Sequence, residues 1–209
     1  MKQRDRPQHA EDDMRRRATW QAAALALAGA WFGGCATDPE AAYFLNTPTR
    51  ANVYVAPAHR PVAKVAVLPF KGPTELIGAS VSDHFVTELL LSGRYEVVER
   101  SQLAAVLGET ELALSGLSSA EATKAGSMAG ADGVVVGTVA EHGAAAEGGR
   151  TYAVVGISAR LIDCANGKVI WSVDLARRAE SSSVSISEHA RQVVHEMMAA
   201  VYRRLQAVR

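Results

Sequence analysis

Beyond residue 61 the apolar residues fall into two rhythms. Val62–Phe70 (VAKVAVLPF) holds the unbroken run Val65–Leu68, and Gly133–Val139 (GVVVGTV) repeats that texture. Short continuous apolar runs suit strands buried on both faces. After the loop Lys71–Gly78, Val81, Phe85, Val86, Leu89 and Leu90 recur at helical spacing, with Ser80 and Asp83 as a capping box and Gly93 as the stop. Tyr95–Glu99 predicts a short strand. Ser101 opens a second helix with Leu103, Val106 and Leu107, and Ser118 with Glu121 opens an alanine-rich third that ends at Gly130. Thr151–Asp163 alternates, with Ile157, Ala159 and Leu161 to one side and Ser158 and Arg160 to the other. Asn166-Gly167 signals a hairpin, returning through Lys168–Ala176 with Trp171 in the core or at its rim. A final helix from about Ser187 carries the broad stripe Ala190, Val193, Val194, Met197, Met198, Val201, Tyr202 and Leu205. His142–Arg150 and Arg177–Ser185 read as polar loops. The order predicts an α/β domain over 62–209: a mixed sheet with an antiparallel hairpin edge, packed against helices.

The N-terminal third has a different texture. Met14–Cys35 (MRRRATWQAAALALAGAWFGGC) has a basic head, an apolar run from Ala18 to Phe32 and a Gly-Gly-Cys end. This is the anatomy of a secretory signal. The run is shorter than the about 20 residues a spanning helix needs. Its end resembles the lipobox of bacterial lipoproteins, in which the cysteine becomes the first residue and carries the lipid; here that is Cys35. Gly34 fits the pattern, and Phe32 departs from it. An ordinary secreted protein or a short uncleaved anchor is the alternative. Residues 1–13 mix charges and fit no signal, so translation from Met14 is expected, a long n-region being the other reading. Residues 35–61 form the lipidated N-terminus and a tether, with Pro39, Pro48, Pro57 and Pro61 keeping it extended. Tyr43-Phe44-Leu45 and Val53-Tyr54-Val55 interrupt the tether with apolar clusters suited to docking on the domain or on a partner.

Charge narrows the function. The chain has 22 basic and 22 acidic residues. Removing residues 1–34 takes away more basic than acidic ones, so no electrostatic footprint for nucleic acid remains. With Cys35 lipidated, Cys164 is alone, which excludes a disulfide-stapled domain; a small buried hydrophobe is its ordinary role. Phosphate-cradling glycine loops, a nucleophile elbow and an H-E-x-x-H helix are all missing from the sequence. His189 and His195 are six apart and off the i, i+4 spacing of paired ligands, so they read as solvated helix residues. Asp83 and His84 are helix neighbours that do not face each other. Asp132 reads as a turn-stabilising carboxylate, and Glu99-Arg100 as a charge pair at a strand end. No convergent constellation arises. No catalytic residue, no cofactor and no metal site is therefore predicted.

Three stretches carry a family resemblance: VAVLPF at 65–70, SGRYEVVERSQLAAVL at 92–107, and GADGVVVGTV at 130–139 followed by ARLIDCANGKVIWS at 159–172. Together they resemble the periplasmic domain shared by CsgG-type curli-secretion lipoproteins and LpoB-type activators of penicillin-binding proteins, a fold similar to the N-terminal domain of TolB. The resemblance implies a lipoprotein of the outer membrane that faces the periplasm. Its domain would be non-enzymatic and would bind a periplasmic or envelope protein partner, with self-association into a homo-oligomer also allowed. CsgG-type channels insert two hairpins into the membrane. The matching positions here, His142–Arg150 and Arg177–Ser185, lack the length and apolar alternation of membrane strands. A pore-less accessory to envelope assembly is expected, and a CsgG-type secretion subunit is the alternative. On this reading, protein recovered from its native membranes begins at Cys35 and carries a diacyl or triacyl mass in intact-mass spectrometry. A soluble product with another N-terminus contradicts it.

Overall fold

The computed structural model describes Pro48 and residues 50–108 and 117–208; the signal segment and Cys35 lie outside them. Along the described chain come β1 (Asn52–Val55), β2 (Lys64–Val67), α1 (Glu75–Leu91), β3 (Glu96–Val97), α2 (Arg100–Leu107), α3 (Ser119–Met128), β4 (Gly133–Glu147), β5 (Arg150–Asp163), β6 (Val169–Arg178) and α4 (Ile186–Ala207). The strands make one six-stranded sheet in the order β1-β6-β5-β4-β2-β3. β2 runs parallel to β3 and β4, and the remaining pairs are antiparallel. The expected mixed α/β fold is the observed one.

The two faces of the sheet are covered unequally. On one, Val65, Val67, Val135, Ile157, Leu161 and Trp171 pack against α1 and α4, whose Phe85, Leu89, Val193, Val194 and Met197 are buried. On the other, Ala66, Val134 and Ile162 meet Leu103 of α2 and Ala122 of α3. Because the second layer of helices reaches only the parallel end, the domain has three layers there and two elsewhere.

Phe70 fixes how these layers meet. It follows β2, is fully buried, and its ring lies 5.0 Å from that of Phe85 on α1. A Cβ on Gly137 of β4 would fall 2.4 Å from the Phe70 ring, and one on Gly78 of α1 would fall 1.9 Å from the Phe70 carbonyl oxygen. Glycine at both positions lets helix, strand and ring approach this closely.

Three sequence expectations change. The first helix starts at Glu75 rather than Ser80, because the Thr74 hydroxyl accepts from Ile77 N–H at 3.2 Å and supplies the cap. Gly78 suggested a loop, but it is inside the helix for the close approach just described. Second, Val53-Tyr54-Val55, within the stretch read as tether, form β1, which pairs with β6 and adds a strand beyond the predicted hairpin. Third, His142–Arg150 is not a loop. β4 runs to Glu147 and β5 starts at Arg150, paired rung by rung. Alanine and glycine have weak strand preference alone, so this extension depends on its ladder to β5. The Asn166-Gly167 turn has the expected positive φ, 71° at Gly167.

Phe70→Ala should cost about 3–5 kcal/mol, and Gly137→Ala about 1–3 kcal/mol by overpacking. The double variant should lose less than the sum, because the space left by the ring accepts the new methyl. Urea unfolding of the four proteins checks this; strict additivity would mean that the two sites do not share that space.

Candidate interaction surface

Where α2 and α3 stop, no other described element covers this face of the sheet. Alternation aims Val136 and Thr138 of β4, Ser158 and Arg160 of β5, Ser172 and Asp174 of β6, and Asn52 and Tyr54 of β1 out of this face. The register aligns them in two rows, Tyr54–Ser172–Arg160–Val136 and Asn52–Asp174–Ser158–Thr138. Lys71 joins the second row through a parallel bridge to Thr138. Tyr54 is 55% exposed, and Asp174 accepts from the Asn52 amide at 3.0 Å. An open pocket of about 340 Å³ lies at the step between Leu117, just before α3, and the bare strands.

The same face continues into a projecting hairpin. The bulge between Val139 and Glu141 shifts the register and re-aims β4. Beyond it Glu141–Glu147 pair with Gly156–Arg150, and Gly148 and Gly149 turn the chain at φ 58° and 74°. β6 ends opposite Val154, so the outermost rungs have no further strand beside β5. The guanidinium of Arg178 at the end of β6 lies 4.6 Å from the Tyr152 ring centroid and pairs with Glu147 beside the turn, tying β6 to the outer part of the hairpin.

The opposite end of the sheet is closed by an ion cluster. Asp163 is 2% exposed; its carboxylate accepts from Arg60 at 3.0 and 3.2 Å, from Ala165 N–H at 2.8 Å and from the Asn166 amide at 2.9 Å. Arg60 also donates to the Asp132 carbonyl at 3.2 Å, while the Asp132 carboxylate accepts from Lys64 N–H at 3.0 Å. The Arg60 hydrogen bond holds the Asp163 carboxyl below its usual range, and the Arg60 guanidinium is correspondingly raised.

The family described as "Curli production assembly/transport component CsgG" matches residues 63–194. The chain belongs to the CsgG family. Solved structures similar to this CsgG-family chain include the PelC dodecamer from Paraburkholderia phytofirmans, at 22% identity and TM-score 0.53, covering 71% of this chain and 94% of that one. Lipoprotein GNA1162 from Neisseria meningitidis is similar at 23% identity and TM-score 0.51, over 69% of this chain and 99% of that one. The LpoB C-terminal domain from Salmonella enterica stands at 14% identity and TM-score 0.44, over 68% and 94%. The likeness to PelC and GNA1162 shows a shared fold. No curated protein sequence matches the chain significantly. The CsgG-like resemblance read from the sequence is thereby met.

Within this CsgG-family domain the ionisable residues tie elements together. His189 and His195, read as solvated, are not. His189 is 1% exposed, with Nε2 donating to the Arg177 carbonyl at 2.9 Å, and His195 lies 3.1 Å from buried Glu88 of α1. Glu196, 4% exposed, pairs with Arg177 and accepts from Arg50 N–H at 2.6 Å. Polar residues on a helix suggest solvent, and nothing local to α4 revealed that β6 and α1 would lie over them. Burial, then the charge of Arg191, lowers the pKa of His84 on the flank of α1. Asp132, read as a turn-stabilising carboxylate, instead reaches across to the start of β2, accepting from Ala63 N–H at 3.3 Å and Lys64 N–H at 3.0 Å. Glu99 occupies the N-cap position of α2 without a side-chain cap, and Arg100 is its first residue. Cys164 is half-buried under α3, and burial raises its thiol pKa, which disfavours the reactive thiolate.

Acid should weaken the cluster at the closed end. A carboxyl with a depressed native pKa stabilises the fold above its unfolded pKa, and that contribution is lost as pH falls through the native value. Asp163→Asn should therefore lower the urea midpoint near about pH 7, and the gap to wild type should narrow toward about pH 3. A gap independent of pH would remove the charge from this account.

Proposed function

We propose that the chain is an outer-membrane lipoprotein, held by lipid on Cys35, whose domain faces the periplasm as a non-enzymatic interaction module in envelope assembly. Residues 1–34 act as its signal peptide, and the segment between Cys35 and β1 as its tether. The observation that carries this reading is the family match across residues 63–194. The signal anatomy ending at Cys35 adds the anchor, and the bare sheet face with its hairpin offers a surface for a protein partner or for other copies of the chain. The PelC relative is a dodecamer, which favours a homo-oligomer here.

The second reading is a CsgG-type subunit of an outer-membrane secretion complex. The projecting hairpin favours it, since β4 and β5 extend well beyond the sheet. Its chemistry argues against membrane insertion. Glu141, His142, Glu147, Arg150 and Thr151 interrupt both faces, and the intervening β4 residues are alanine and glycine. Lipid-facing strands need about 9–11 residues of apolar alternation.

Protein purified in detergent should form discrete oligomers by mass photometry yet give no stepwise conductance in planar bilayers. Deleting Ala146, Glu147, Arg150 and Thr151 removes two facing rungs and keeps the register. That variant should still fractionate with the outer membrane, because Cys35 supplies the attachment. Channels abolished by the deletion would instead establish the secretion subunit.

A further inference from the structure

The pocket on this face holds two cations, Lys71 and Arg160, that no described carboxylate pairs with. It is lined by Lys71, Arg160 and the hydroxyl residues Thr138, Ser158 and Ser172, above a floor of Val136 and Gly137, with Leu68, Pro69 and Leu117 as its apolar wall. Among the described residues no aspartate or glutamate lines it. Among the described residues neither cation has an ion-pair partner. Elsewhere on the domain Arg60, Lys64, Arg177, Arg178 and Arg191 are all paired with carboxylates.

Nearby acids are already engaged. Glu121 accepts from Ser118 N–H at 2.7 Å in the capping box of α3, and Asp174 is held by Asn52 at 3.0 Å. The capping box also occupies the helix end, so the macrodipole of α3 is not needed for an anion site. Arg160 donates to the Ser119 hydroxyl at 3.2 Å, which steadies its guanidinium beside the pocket and leaves its other N–H groups available.

The register sets the geometry. Lys71 lies beside Thr138, Thr138 faces Ser158, and Arg160 is two residues further along β5. At ordinary strand spacing the two backbones are roughly 12 Å apart, a gap that two long side chains can close onto one group. The hydroxyls lie between them as further donors. The volume of about 340 Å³ is that of a small-ligand pocket.

We propose that this pocket binds a phosphate monoester group, held between Lys71 and Arg160 and hydrogen-bonded by Thr138, Ser158 and Ser172. Two positive charges without an ion-pair partner among the described residues match the about −1.5 to −2 charge of such a group. Five donor side chains suit its several oxygens better than the two of a carboxylate. A charged, hydroxyl-rich pocket on an open sheet also needs no rearrangement to admit it.

The test uses the full chain in detergent, titrated with phenyl phosphate and with benzoate and followed by amide chemical shifts and calorimetry. Saturable binding of phenyl phosphate is expected, with shifts centred on Lys71, Thr138, Ser158 and Arg160 and weaker affinity for benzoate. Lys71→Gln and Arg160→Gln should each weaken it several-fold, and together by at least tenfold. Both side chains are exposed, so unchanged thermal midpoints should show that the variants are folded. A second arm titrates the same full chain with a short-chain phosphatidic acid and with inorganic phosphate. Tighter binding of the short-chain phosphatidic acid that requires both cations supports the site and identifies a lipid headgroup as the source, whereas tighter binding of inorganic phosphate that requires both cations supports the site with a free phosphate as the source. Shifts confined to other surfaces, tighter binding of benzoate, or equal affinity in the double variant would overturn the proposal.

Discussion

Phe70 is the contact on which the layers depend. It ends the central parallel strand, and its ring is closed in by Phe85 on one element and Gly137 on another. Its carbonyl also sets how close the first turn of α1 can come, which is why Gly78 lies inside a helix. An interior at crystal-like density has no room for a Cβ at either glycine. The placement of α1 on the sheet, and with it the core shared with α4, follows from that one wedge.

Unequal helical cover follows from the same arrangement. α1 and α4 bury one face along most of its length, while α2 and α3 bury only the parallel end of the other. The outward residues of β1, β5 and β6 are accordingly polar beyond that end. A sheet with one solvated face is ordinary for antiparallel strands. What distinguishes this one is that two cations without carboxylate partners among the described residues share the surface with a row of hydroxyls, beside a helix whose own end is already capped.

Buried charge serves the fold at two other places. Arg60 and Asp163 tie the segment after β1 to the β5–β6 turn, and Glu196 and His189 tie α4 to the end of β6. Such pairs offset a desolvation cost and are weak sources of net stability. Their effect is to fix which end of each element meets which, and removing one partner leaves a buried charge.

Local pattern in the sequence was enough for several features. Continuous valine runs marked β2 and β4, alternation marked β5, Asn166-Gly167 marked the turn to β6, and the wide apolar stripe marked α4. The stretches around VAVLPF and VERSQL were enough to indicate the CsgG-like family. These signals survive because burial on a face imposes a period on the chain wherever the element occurs. Tertiary structure alone decided the rest. Gly143 and the alanines 144–146 became strand because β5 supplied the partner ladder, and Val53–Val55 became β1 because β6 offered an edge. His189, His195 and Glu196 became inter-element ties once α4 was laid across the sheet. The pocket between Lys71 and Arg160 joins residues 89 positions apart in sequence, and strand register, which no local period encodes, brought them to one face.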